Sequence, residues 1–95
     1  MAFKVFVDDN YHYQDESERY QQGEYKSYEA AVIACKAIVD QFLESAYKPG
    51  MTAAELYKGY VSFGEDPFVV PNPDGIIFSA WDYAKERCSE ICGKT

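Results

Sequence analysis

Histidine is almost missing from this chain of 95 residues: His12 stands alone, so any imidazole proton transfer or Cys-His relay would have to pass through that one side chain. It lies in an acidic segment, far in sequence from every cysteine, and reads as a solvated surface residue. Bases are scarce too. Nine lysines and arginines against sixteen acids give a net charge of −7, which opposes approach to phosphate backbones and anionic membrane surfaces. Neither nucleic acid nor membrane is expected as a partner. No stretch approaches the roughly 18 consecutive apolar residues that a bilayer span requires. The N-terminus enters a strand pattern directly, without a targeting sequence, so the expectation is a soluble, cytoplasmic protein. Repeats and low-complexity stretches are absent, and Gly64-Glu65-Asp66-Pro67 lacks the glycine spacing and lysine of a phosphate cradle. Ser17, Ser45, Ser62 and Ser89 sit in no nucleophile elbow.

Cysteine is sparse and odd in number: Cys35, Cys88 and Cys92. The last two fall four apart on one helical face, where the Cβ atoms stay too far apart for a disulfide, so reduced thiols and a cytoplasmic setting agree. All three lie inside apolar stripes, where cysteine behaves as a small hydrophobe. The alternative is that they converge as a three-thiolate metal or redox site, although no histidine or second cysteine pair completes a zinc tetrahedron. No cofactor is expected.

What remains is ample for one domain. An apolar content of 47% with 26% charged residues is too hydrophobic for a disordered chain and fits a single globular unit over 1–95. Val5 and Val7 alternate with Lys4 and Phe6, which predicts a first strand over Phe3 to Val7. Glu24-Tyr25-Lys26 predicts a second, paired antiparallel with the first. Ser27 is a good N-cap, and Ala31, Ala34, Cys35, Ile38, Val39, Phe42, Leu43 and Ala46 recur at three and four spacing, so a long helix is expected from Tyr28 to Ala46. Lys48-Pro49-Gly50 ends it. Thr52 and Glu55 form a capping box, Met51 and Leu56 a hydrophobic staple, and a second helix should run from Ala53 to about Ser62 with Gly64 in a left-handed closing position.

Phe68-Val69-Val70 predicts a third strand, Pro71 to Gly75 a turn, and Ile76-Ile77-Phe78 a possible fourth strand. Ser79 with Asp82 caps a last helix carrying Trp81, Ala84, Cys88, Ile91 and Cys92 on one face. Trp81 is expected as a core anchor that packs over the sheet edge and the Pro-rich turn. If exposed beside Phe68, Pro71 and Pro73, it would mark a groove instead. The order β-β-α-α-β-(β)-α predicts an α+β fold, a small antiparallel sheet of three or four strands with three helices on one face. Around Asp66-Pro67-Phe68-Val69-Val70-Pro71 and Phe78-Ser79-Ala80-Trp81-Asp82-Tyr83-Ala84 the chain resembles a family of small bacterial proteins of about this length. The resemblance spans most of the chain and implies no activity and no functional residues.

The segment from Val7 to Ala31 carries the densest chemistry. Asp8, Asn10, His12 and Gln14 mimic the oxygen spacing of a calcium loop, but Tyr13 stands where the turn needs glycine and Arg19 where a glutamate should close the cage. Asp15, Glu18 and Gly23 instead resemble the cap, box partner and stop of a short helix inside a solvated hairpin connection. Five of the nine tyrosines fall between Tyr11 and Tyr28, and a flat ring with a water-tolerant hydroxyl suits an interface. The adjacent acids Asp8-Asp9, Asp15-Glu16 and Glu65-Asp66 read as solvated charge, with no burial to separate their pKa values.

No catalytic residues emerge, and the reading leans away from an enzyme. The expected function is a non-enzymatic acidic interaction module that docks a protein partner with a basic or mixed surface through segment 8–25. Its partner-binding residues would be Tyr11, Tyr13, Tyr20, Asp15 and Glu16. The alternatives are a metal or redox sensor using Cys35, Cys88 and Cys92, or a small enzyme without a recognisable motif, such as a carboxylate and tyrosine in a cleft.

Overall fold

Alternation sets the first strand. Val5 and Val7 are fully buried, while Lys4, Phe6 and Asp8 between and beside them keep contact with solvent. In a computed structural model, which describes residues 2–9, 19–71 and 78–92, this strand is β1 (Phe3–Asp9). It is followed by β2 (Tyr20–Tyr25), α1 (Tyr28–Ala46), α2 (Ala53–Phe63), β3 (Glu65–Val70) and α3 (Ala80–Cys92). The sheet has the order β2-β1-β3, and both pairings are antiparallel. The expected α+β fold is thus the observed one, with three strands among the described residues.

The first and last strands of the sheet are longer than the sequence suggests. β1 continues to Asp9, and β3 starts at Glu65 rather than Phe68, because Asp8 and Asp9 pair with Asp66 and Glu65 and extend the ladder through charged residues. β2 runs Tyr20–Tyr25, not Glu24–Lys26, so the helical turn expected to include Tyr20, Gln21 and Gln22 is not formed there. The ladder with β1 outweighs the local helix signals. Val5 faces Gly23 while Phe6 faces Gln21, which leaves Gln22 as the extra residue of a bulge. Residues 76 and 77 of the possible fourth strand lie outside the described residues.

The helices start where their caps predict. The Ser27 hydroxyl accepts the Ala30 N–H at 3.1 Å. Thr52 and Glu55 close the reciprocal box at 3.1 and 2.9 Å, and the Ser79 hydroxyl accepts the Asp82 N–H at 3.2 Å. Gly64 departs from expectation: its φ of −78° and ψ of −176° are extended, not left-handed. Glycine is needed there for space, since a Cβ would lie 2.5 Å from the Tyr60 ring and 2.8 Å from the Tyr60 carbonyl oxygen.

α1 serves two cores in succession. Its N-terminal half gives Ala31 and Cys35 to a cluster with Val5, Val7 and Val69 under the sheet. Its C-terminal half gives Val39 and Leu43 to a second cluster with Leu56, Tyr60, Ala80, Ala84 and Cys88 between the helices. Phe78 packs against both. Tyr83 and Arg87 of α3 fasten the helices by donating to Asp40 of α1, each at 2.9 Å. Among the described residues, no helix is long and apolar enough to cross a membrane.

Candidate functional site

The register that buries Val5, Val7, Pro67 and Val69 turns Phe6, Asp8, Asp66, Phe68 and Val70 to the opposite face, which none of the three helices uses as a core. Phe6 lies directly across from Phe68, and their rings stack with centroids 5.9 Å apart. The Arg19 guanidinium lies 5.1 Å from the Phe68 centroid. It also grips Asp8 through two bonds, Nε to Oδ1 at 2.7 Å and Nη2 to Oδ2 at 3.1 Å. One cation thereby serves a carboxylate and an aromatic face together. Val70, 43% exposed, continues the apolar stripe toward the end of β3.

Asp66 faces Asp8 across the same strand pair. Burial, and then the Asp8 charge, push its carboxyl up to about 6. No hydrogen bond or ion pair joins it to another described residue, whereas Asp8 accepts two bonds from Arg19. Beside Asp66, between β3 and the start of α3, lies a cleft of about 460 Å³ whose walls include Phe68, Phe78 and Trp81. Trp81 is half-buried: it packs on the inter-helix core, as expected of an anchor, and its remaining surface lines this cleft. Phe78 is fixed at both ends of its contacts, its N–H donating to the Tyr28 hydroxyl at 2.9 Å and its ring lying 6.1 Å from that of Tyr83.

The partner-binding residues expected from the sequence divide. Tyr11, Tyr13, Asp15 and Glu16 lie outside the described residues, as does His12. Tyr20 is placed: it is 49% exposed, and its hydroxyl donates to Glu65 at 2.9 Å, reaching across the end of the sheet from one edge strand to the other. Burial, that bond and the Glu65 charge together raise its pKa. Tyr25 and Tyr28 act in packing instead, Tyr25 against the sheet core with a bond to Gln22 and Tyr28 edge-on to Phe3.

The thiols are parted between the two cores, Cys35 under the sheet and Cys88 with Cys92 between the helices. Among the described residues, no group of three or more His, Cys, Asp or Glu side chains is placed to hold a metal ion. Burial pushes Cys35 up to about 12, helped by Asp66, and Cys88 up to about 11, helped by Cys92. Both are thereby held as thiols rather than thiolates.

One carboxylate–tyrosine pair does occur, Asp40 with Tyr83. Burial and the bond to Asp40 push the Tyr83 phenol up to about 12, so it keeps its proton at neutral pH and acts as a clamp between α1 and α3. Asp66, a half-buried carboxyl raised toward neutrality, can exchange a proton or balance a bound cation. The sequence hid it because Asp8 and Asp66 meet only through strand register; the adjacent pair Glu65-Asp66 was visible, its partial burial was not. Set against protein-family models, curated proteins and solved structures, the chain matches none of them.

Proposed function

We propose that this chain is a non-enzymatic interaction module that docks a protein partner of basic or mixed surface. The docking surface consists of segment 8–25 and the sheet face that segment borders. One observation carries the reading: the Phe6–Phe68 stack, capped by Arg19 and continued by exposed Val70, lies on the side of the sheet away from both cores. An aromatic centre with a charged rim is the composition that interfaces favour. The net charge of −7 selects for a basic partner and against nucleic acid. The free thiols fit a cytoplasmic setting.

The test is affinity capture from native lysate with three baits: the unaltered chain, Tyr11→Ser/Tyr13→Ser, and Val70→Lys. A basic protein held by the first and lost by both variants, at unchanged melting temperature, supports docking through this surface. Retention by both variants, or loss only alongside a lowered melting temperature, refutes it.

A further inference from the structure

The sheet face holds Asp8 and Asp66 in register with Arg19 beside them, while Lys4, two residues beyond Phe6 on β1, lies opposite Val70 and Glu24. Arg19 is committed to Asp8 by two short bonds and covers Phe68. Asp66 is half-buried opposite Asp8, without a described hydrogen-bond or ion-pair partner, and forms one wall of a cleft with Phe68, Phe78 and Trp81. A half-buried carboxylate left without a counter-charge is costly. A cation that enters the cleft gains that carboxylate and the aromatic walls together. An anion would meet Asp66 at once, and the start of α3 is already occupied by the Ser79 cap and carries Asp82 in its first turn.

We propose that the cleft beside Asp66 receives the ammonium group of a lysine side chain from the docked protein, with the four-carbon stem lying against Phe68, Phe78 and Trp81. A lysine fits better than an arginine here. The bidentate role on this face is already filled by Arg19 on Asp8, and a single carboxylate at the margin of an aromatic-walled cleft suits a compact point charge on a flexible apolar stem. This deepens the docking reading above and relies on it for the source of the lysine.

Trp81 is the chain's only tryptophan, so its fluorescence reports occupancy of the cleft directly. The isolated chain is titrated at pH 7.5 and constant ionic strength with the capped tripeptides acetyl-Ala-Lys-Ala-amide and acetyl-Ala-norleucine-Ala-amide, and separately with n-butylammonium chloride. The lysyl peptide should give a saturable change in Trp81 emission, and Asp66→Asn should weaken it about tenfold while circular dichroism stays unchanged. The norleucine peptide, which matches the stem but lacks the charge, should give none.

Equal binding of the two peptides, equal binding to Asp66→Asn, or no saturable response from the folded chain overturns the proposal. So does binding of n-butylammonium without the lysyl peptide, which would make the cleft a site for free amines. The titration uses no docking partner, so its failure leaves the capture result on the sheet face standing, and failure of the capture leaves a positive titration standing.

Discussion

Replacing Asp66 with asparagine should make the protein more stable at neutral pH, and by an amount that depends on pH in one direction only. Burial and then the Asp8 charge lift the Asp66 carboxyl from 3.8 to about 6. At ~1.36 kcal/mol per unit, a full shift of this size would be worth about 3 kcal/mol. The side chain keeps contact with solvent, which screens the effect, so about 1–2 kcal/mol is the expected cost of the ionised form in the fold. The folded state prefers the protonated acid and binds more protons than the unfolded chain between these two values. Stability is therefore intact below a pH of about 4 and is lost as pH rises through about 6.

The groups around it keep that sign. Asp8 on β1 is the nearest acid and is bonded to Arg19, while the Cys35 thiol on α1, pushed up to about 12, stays neutral throughout this range. Asparagine has nearly the same shape and no charge to lose. Thermal unfolding followed by circular dichroism from pH 4 to 8 should show the variant and parent converging at the acid end. At pH 7 the variant should melt higher by about 5–10 °C. A gain that is the same at pH 4 and pH 8, or a loss at pH 7, would refute the assignment of Asp66 as a strained carboxylate.

The two glycines of the second helix region should respond in opposite directions in urea unfolding. Gly64→Ala drives a methyl into the Tyr60 ring and carbonyl and should cost about 1–3 kcal/mol, whereas Gly59→Ala, with open space around its Cβ, should gain about 0.5–1 kcal/mol. Cys35 and Cys88 should resist a maleimide at pH 7.5 in the native state and react only after denaturation, as read by intact and peptide mass spectrometry; rapid native labelling of either would show that it is not the buried thiol described. Tyr83→Phe removes the phenol that donates to Asp40 while keeping the ring, and should lower stability by about 1 kcal/mol; an unchanged urea midpoint would mean that the clamp between α1 and α3 holds through Arg87 alone.

The features legible in the sequence were those with local causes. The 19-residue α1 begins and ends where its cap, its three-and-four spacing and the following Pro-Gly place it. The Thr52–Glu55 box is present as its spacing implies, because both partners lie within one turn. The misplaced elements depend on partners distant in sequence. Tyr20, Gln21 and Gln22 follow a convincing cap and precede a glycine stop, yet they form a strand because β1 offers a ladder to them. Glu65, Asp66 and Pro67 look unsuited to a strand, and Pro67 is tolerated because, among the described residues, β3 is an edge strand paired with β1. The same blindness hid the site: Asp8 and Asp66, or Phe6 and Phe68, are unrelated in sequence until the register between β1 and β3 is known.

Separate support for the two cores explains how a chain this small can carry aromatic residues away from them. Tyr60, Leu56 and Leu43 anchor the inter-helix cluster, and none of them touches the sheet core, which rests on Val5, Val7, Val69 and the first half of α1. Phe6, Phe68 and Val70 belong to neither cluster. Phe6 and Phe68 are half-buried and Val70 is exposed, so part of their apolar area stays in contact with solvent, the kind of surface on which the proposed docking relies. Polar substitution on that face should spare the melting temperature, whereas the same change at Val5 or Val69 should not. This separation of fold from surface is what gives the capture experiment its power, because a variant such as Val70→Lys can remove binding without removing the protein.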